Sequence, residues 1–245
     1  MSGSLTARSP EPAHERRSFR TVIRRTGRLD SELDHLEKSW SAVARRDLLQ
    51  AILYRRDQPW TKEAFFQTGK DDFARIKSIS SAHGIAIGDQ TDILDFGCGI
   101  GRLSLPAAAI ARSVIGVDIS EEMIRRAPTF VAGRTPPLYL RCRSADLDLI
   151  SSSSIDVVMS LITFQHMSPM LGAIYVRGFA RILRPNGLLI FDVASKKASE
   201  RTLAEALPSW AYKVCQNVRA SCTSYGKIRM HAWPDGAVQA LIGQA

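Results

Sequence analysis

Residues 92–101 read DILDFGCGIG, in which Asp95 stands two positions ahead of glycines that recur at 97, 99 and 101. Glycines at alternate positions after an apolar run give a backbone that can turn tightly and lie close to a ligand at the carboxyl edge of a sheet. A second carboxylate, Asp118, closes the next apolar run, SVIGVD, 19 positions after Gly99. That is near the spacing at which an acid takes ribose hydroxyls, so loop and acid together point to a cofactor containing adenosine. The register decides which one. A dinucleotide fingerprint wants a small residue where this chain has Arg102, and a carboxylate just before the glycines repels a pyrophosphate. The same carboxylate suits a ligand carrying a cationic amine and a sulfonium, so S-adenosylmethionine is the expected cofactor.

Two further residues invite chemistry. Cys98 sits between glycines with nothing basic adjoining it in sequence, and reads as a small space-filling part of the cofactor loop rather than a nucleophile. His166 follows the fourth apolar run, where an acceptor or a general base stands, and it is the candidate catalytic residue; the alternative is a hydrogen-bonded structural imidazole. The four cysteines, at 98, 142, 215 and 222, form no C-x-x-C pair and no zinc spacing, so neither a disulfide frame nor a metal is expected.

Placing these residues requires alternating strands and helices. Nearly continuous apolar runs at 92–96, 113–118, 138–142, 155–161 and 187–193 predict buried parallel strands. Ser120, followed by Glu121 and Glu122 and then Arg125 and Arg126, predicts a capped helix with charges matched to its dipole. Ser168 and Pro169 open another that runs to Leu183, before the RPNG turn. Two helices should precede the first strand, one ended by Pro59 and one closed by Gly84. The fold expected is α/β, a doubly wound, mostly parallel sheet.

In this order and spacing, LDFGCGIGR, VIGVDIS, RSADL, IDVVMSLITFQHM and ILRPNGLLIFDV resemble the motif series of class I S-adenosylmethionine-dependent methyltransferases. The resemblance covers roughly residues 65 to 193 and implies their Rossmann-like fold. It further implies that Asp95, Gly97, Gly99 and Gly101 cradle the methionine moiety, with Cys98 among them, and that Asp118 holds the ribose. Ile119 would pack on the adenine, Asp146 with Leu147 would meet its amino edge, and Met123 and Ser160 would complete the cofactor-binding set. FFQTGKDDF resembles the helix that covers the cofactor in many small bacterial members. Two departures stand out. The N-methylating signature of Asn or Asp before Pro-Pro-aromatic is absent after the fourth strand, which reads SLITFQHM. The 52 residues after Val193 offer one short extended run, KIRMHAW, and a helix-like PDGAVQALIGQA, so the terminal antiparallel strands are expected to be missing. That would leave a bare sheet edge, and with it a homodimer.

At 245 residues and 45% hydrophobic side chains, the chain can bury one α/β domain with an appendage. The net charge of +9 is concentrated at the start, where residues 1–28 carry seven arginines against Glu11 and Glu15. A Ser-, Pro- and Arg-rich arm of this kind is expected to be a solvated tail, so nucleic acid is not the expected partner. No apolar run approaches membrane length, and a cytoplasmic protein without membrane contact is expected. The expected division is a disordered basic tail over 1–38, a helical segment covering the cofactor over 39–90, and the cofactor-binding domain over 91–245. The expected activity is methyl transfer to a small-molecule or sugar-like acceptor; a binding protein of the same fold without turnover, or an RNA methyltransferase, stays open.

Overall fold

The structure, a computed structural model, describes residues 13–53, 58–127, 135–193, 211–213, 231 and 233. Six strands, β1 (Asp92–Phe96), β2 (Ser113–Asp118), β3 (Leu138–Arg141), β4 (Ile155–Ser160), β5 (Leu183–Phe191) and β6 (Ala211–Lys213), form one sheet in the order 3-2-1-4-5-6. Every pairing is parallel. The order reverses between β1 and β4, and at such a switch point the crossovers diverge and open a crevice beyond the carboxyl ends of the strands.

Side chains alternate across a strand, so a strand covered on both faces must be apolar at nearly every position. Leu94, Phe96, Val158, Leu189 and Phe191 enter one core layer, whereas Ile93, Val157, Met159, Leu188 and Ile190 enter the other. The first layer is closed by helix α6 (Pro169–Ile182) and helix α1 (Ala13–Arg46), and the second by α3 (Lys62–Ala82) and the short α4 (Ser104–Ala108). A side chain such as Phe179 or Leu94, fully buried, contributes about 1.5–3 kcal/mol. Phe96, Phe164, Tyr175 and Phe179 pack ring against ring, with Phe96 and Tyr175 centroids 4.5 Å apart.

Helix punctuation follows the sequence. Ser120 Oγ accepts from the Met123 amide at the start of α5 (Glu121–Arg126), and Ser168 Oγ accepts from the Leu171 amide before Pro169. Gly84, at φ +83°, closes α3 in the left-handed region. The helix expected to run on to Pro59 is instead broken at Asp47, which caps α2 (Leu48–Ile52), and α2 ends with Leu53 as its C-cap.

Three further expectations change. The tail boundary at residue 38 falls inside α1, a single helix from Ala13 to Arg46. Leu29, Leu33, Leu36, Trp40 and Val43 recur at helical spacing along it; Leu33, Leu36 and Val43 are buried, and Leu29 and Trp40 pack on the core. Dense charge between these residues hides the stripe from a compositional reading. Strand β5 begins at Leu183, ahead of RPNG: Ile155 pairs with Leu183 and Val157 with Leu188, so the RPNG residues bulge out between two paired segments, with Asn186 at φ +65°. The sheet also continues past β5, because β6 pairs parallel with Leu189–Phe191. That strand lies on the edge expected to be bare. Of KIRMHAW only His231 and Trp233 are described, and PDGAVQALIGQA lies outside the described residues. Trp233 is buried on α6 where Gly172 has no side chain; a Cβ there would lie 2.2 Å from its ring. Among the described residues, no helix is long and apolar enough to cross a membrane.

Candidate functional site

A cleft of about 930 Å³, open in part to solvent, lies at the carboxyl edge of β1, β2 and β4. Its floor is the glycine loop. Gly97, Gly99 and Gly101 all take positive φ, at 75°, 55° and 82°, a region that costs an L-residue but not glycine. Space adds a second constraint at two of them: a Cβ on Gly97 would stand 2.2 Å from Thr163 Oγ1, and one on Gly101 2.0 Å from the Tyr139 hydroxyl. The loop is tied to β2 by the amides of Gly97 and Cys98, which both donate to the Val117 carbonyl, at 2.8 and 3.0 Å.

Asp118 joins the loop to the next helix. One carboxylate oxygen accepts from the Gly99 amide at 3.0 Å and the other from the Ser120 amide at 2.8 Å. Each oxygen has further lone pairs, and the residue lines the cleft. Burial pushes its pKa up to about 6, against the opposing pull of the amides of Ser120 and Gly99. Asp95, at the end of β1, accepts from Ser104 Oγ at 2.5 Å. Its pKa is also pushed up to about 6, first by burial, with Ser104 and Arg102 pulling it down and Asp118 adding to the rise. Arg102, the one guanidinium on the cleft wall among the described residues, is committed elsewhere. It pairs with Asp72 at 2.6 Å and reaches Thr68 Oγ1 at 3.3 Å. Gly69 lets α3 close on the Arg102 backbone, where a Cβ would lie 2.1 Å from the carbonyl oxygen. The cleft therefore holds two enclosed carboxylates, and its one guanidinium among the described residues, Arg102, is paired with Asp72, which fits a ligand that brings positive charge.

Helices α1 and α2 roof the loop through Trp40, Ala44 and Ile52, packed with Phe65, Ile100 and Met123. Polar contacts hold α1 on both banks of the cleft. Ser41 and Ser120 hydroxyls are 2.9 Å apart, Glu37 pairs with Arg141 and Arg143, and Glu32 accepts from the Ser168 amide at 2.6 Å and its hydroxyl at 2.7 Å.

A family model described as a methyltransferase domain matches residues 93–187, the segment that supplies the floor and most of the wall of this cleft. The chain is similar to methyltransferases over that segment. Two curated relatives are ubiquinone biosynthesis O-methyltransferases. That of Parvibaculum lavamentivorans is 26% identical over 111 residues, 45% of this chain and 43% of its own. That of Sinorhizobium fredii is 30% identical over 112 residues, 46% and 44%. The match thus spans less than half the length of these relatives. Among solved structures, magnesium protoporphyrin IX methyltransferase from Synechocystis with bound S-adenosylmethionine has a TM-score of 0.57 at 18% identity, covering 87% of this chain and 85% of that one. A Leishmania major S-adenosylmethionine-dependent methyltransferase has a TM-score of 0.58 at 14% identity, covering 87% and 72%. At such identities these two speak for the fold.

Of the residues expected to bind the cofactor or act on the acceptor, Asp95, Gly97, Cys98, Gly99, Asp118, Ile119, Met123 and His166 stand together on the cleft wall. Cys98 is buried there, and burial pushes its thiol up, away from thiolate chemistry. Four expected residues stand elsewhere. Gly101 packs on Tyr139 behind the loop. The Ser160 hydroxyl is buried and donates to the Phe96 carbonyl at 2.9 Å. Leu147 is fully buried in the core, at φ +56°. The Asp146 side chain accepts from Ser144 Oγ, and its carbonyl accepts from Arg181 at 3.0 Å. This segment is pinned by Arg181, which also holds the carbonyls of Leu147 and Ile150, and Cys142 rather than Asp146 reaches the cleft from β3. His166 is buried in a 3-10 turn, Phe164–His166, with its ring edge-on to Trp40 at 4.8 Å and Nε2 3.2 Å from Gln165 Nε2.

Residues that sequence reasoning missed include Trp40 and Ile52 on the roof and the turn Leu161–Thr163. Gly69 was a usable signal, because an isolated glycine inside a helical pattern usually marks a close approach. The Arg102–Asp72 pair, 30 residues apart, has no local signature.

Proposed function

We propose that this chain is an S-adenosylmethionine-dependent methyltransferase acting on a small, uncharged acceptor. The observation that carries the reading is the pair of enclosed carboxylates, Asp95 and Asp118, beside a backbone loop whose glycines leave room for a ligand. Asp118, already oriented by two amides, keeps acceptor capacity for two ribose hydroxyls, while Asp95 faces the ammonium end across the glycines. Ile119 and Met123 supply apolar surface for the adenine. When bound, S-adenosylmethionine supplies an electrophilic methyl on a sulfonium. The chain's own part is then to hold the acceptor in line, exclude water and, for an acceptor that carries a proton, take it.

The rest of the wall favours an apolar small molecule over a sugar-like one. Leu36, Trp40, Ile52, Leu161 and Met167 line it, and an acceptor rich in hydroxyls would leave polar groups unpaired against them. His166 is the proposed base. His166→Asn should lower kcat by about a hundredfold on a protonated acceptor and leave the affinity for S-adenosylhomocysteine unchanged in calorimetry. Equal kcat in both proteins would remove the imidazole from the reaction, and absence of turnover across a broad acceptor panel would favour a binding protein of this fold.

A further inference from the structure

Ile162 adopts φ +61°, the left-handed region, in which a β-branched residue is an outlier; glycine or asparagine takes it with far less strain. The residue sits in the turn Leu161–Ile162–Thr163 that leaves β4, and all three members line the cleft. Something must over-determine this turn, because a strained backbone persists only when its surroundings insist on it. Two attachments do. Thr163 Oγ1 lies 3.1 Å from the Leu161 carbonyl and 3.4 Å from the Phe96 carbonyl, with Gly97 closely packed against the same side chain. The second comes from the end of β5: buried Asp192 accepts the Ile162 amide on Oδ1 at 2.7 Å, while its own amide donates to the Ser160 carbonyl at 3.2 Å.

We propose that Asp192 is a positioning residue for the cleft: by holding the Ile162 amide it keeps the strained Leu161–Thr163 turn in the shape that walls the cofactor and acceptor. Asp192 does not itself reach the cleft, so its influence passes through the backbone it binds. Arg102 and Asp72 are the charged groups whose fields reach it from the loop and α3, the first lowering and the second raising its pKa, while burial pushes the carboxyl up to about 7. The Ile162 bond survives protonation of the carboxyl, because the carbonyl oxygen of an acid still accepts. Occupancy of the bond, rather than charge, is therefore the positioning element, and an amide at this position should serve.

The inference rests on the proposed cofactor site for its affinity readout and on Ile162 alone for its structural one. Asp192→Ala should weaken S-adenosylhomocysteine binding by at least about fivefold, as loss of one buried hydrogen bond implies, and Asp192→Asn should stay within about twofold. Adding Ile162→Gly to Asp192→Ala should bring affinity back to within about twofold of Ile162→Gly alone, because glycine holds this φ without help. Hydrogen exchange at the Ile162 amide should accelerate in Asp192→Ala and not in Asp192→Asn. If the native protein fails to bind S-adenosylhomocysteine, the functional reading falls, and the exchange measurement still decides the positioning role. Should Asp192→Ala fail to fold, a folded double variant supports the role and an unfolded one overturns it. Unchanged exchange in Asp192→Ala, or equal loss of affinity with and without Ile162→Gly, overturns it as well.

Discussion

The two ends of strand β1 each carry an aspartate, and the chain treats them in opposite ways. At the amino end, Asp92 is surrounded by donors: Arg112 on both oxygens, Arg184 at 2.8 Å and Ser113 Oγ at 2.7 Å, with Asp156 sharing Arg184. These partners, led by Arg112, hold its carboxyl well below the usual carboxylate range. At the carboxyl end, Asp95 has Ser104 and neighbouring Asp118 has two backbone amides, and burial pushes both up to about 6. One edge of the sheet spends its charges on itself. The other compensates its carboxylates only in part, which is what a site for a cationic ligand requires.

Breaking the amino-edge cluster should give the largest effect, and on stability alone. Asp92→Ala leaves Arg184 and Arg112 without their shared partner. With both guanidiniums a third to a half exposed, the loss should be about 2 kcal/mol, or roughly 4–8 °C in Tm for a chain of this size. Cofactor affinity should be unchanged by calorimetry, and a weakened affinity would show that the two edges are coupled.

The carboxyl edge should respond the other way. Asp118→Ala should weaken S-adenosylhomocysteine binding by at least about tenfold, since a charge-assisted bond contributes on the order of 1.5–3 kcal/mol, while Tm without ligand holds or rises. Asp118→Asn should lose less. An unchanged affinity in the alanine variant would remove the ribose role.

The same contrast sets opposite pH dependences. A carboxyl whose pKa rises on folding contributes stability that is fully present below 3.8 and lost as pH climbs through about 6, which describes Asp95 and Asp118. Asp92, lowered on folding, contributes stability present above 3.8 and lost as pH falls below it. Between about pH 4 and 6 the ligand-free protein should therefore lose Tm as pH rises, with a shallower slope in Asp118→Asn. Affinity for S-adenosylhomocysteine should run the other way, falling as pH drops below about 6 because the ionised forms bind. Parallel trends in Tm and affinity would contradict the assignment.

The smallest effect is expected at Ser104. Ser104→Ala removes the hydroxyl that pulls Asp95 down, so the pH at which affinity begins to fall should move upward, with a change at pH 8 within about threefold. A downward shift would contradict the role given to Ser104.

How much of this was legible in the sequence depends on the range of the interaction involved. The five runs that alternate between the two core layers, and the caps at Ser120 and Ser168, are local patterns, and they place β1 to β5, α5 and α6 within a few residues. The glycine register and Asp118 are local as well. Helix α1 was hidden because charged residues fill the gaps in its Leu29–Val43 stripe, and β6 because three residues carry no periodicity. The Arg102–Asp72 pair, the Glu32–Ser168 contact and the Asp192–Ile162 bond join segments 30 or more positions apart. No residue type announces such contacts. An isoleucine at positive φ runs against the propensity a sequence reading relies on, so the wall beside the glycine loop could be read only from the folded chain.

The central claim is that the partly compensated carboxyl edge takes an adenosyl ligand with a cationic amino-acid tail, and not a dinucleotide. Titration calorimetry of the intact chain with S-adenosylhomocysteine and, separately, with NAD tests this most directly. The account predicts saturable binding of S-adenosylhomocysteine that is weakened at least about tenfold in Asp118→Ala, with no heat from NAD; binding of NAD without binding of S-adenosylhomocysteine would contradict it.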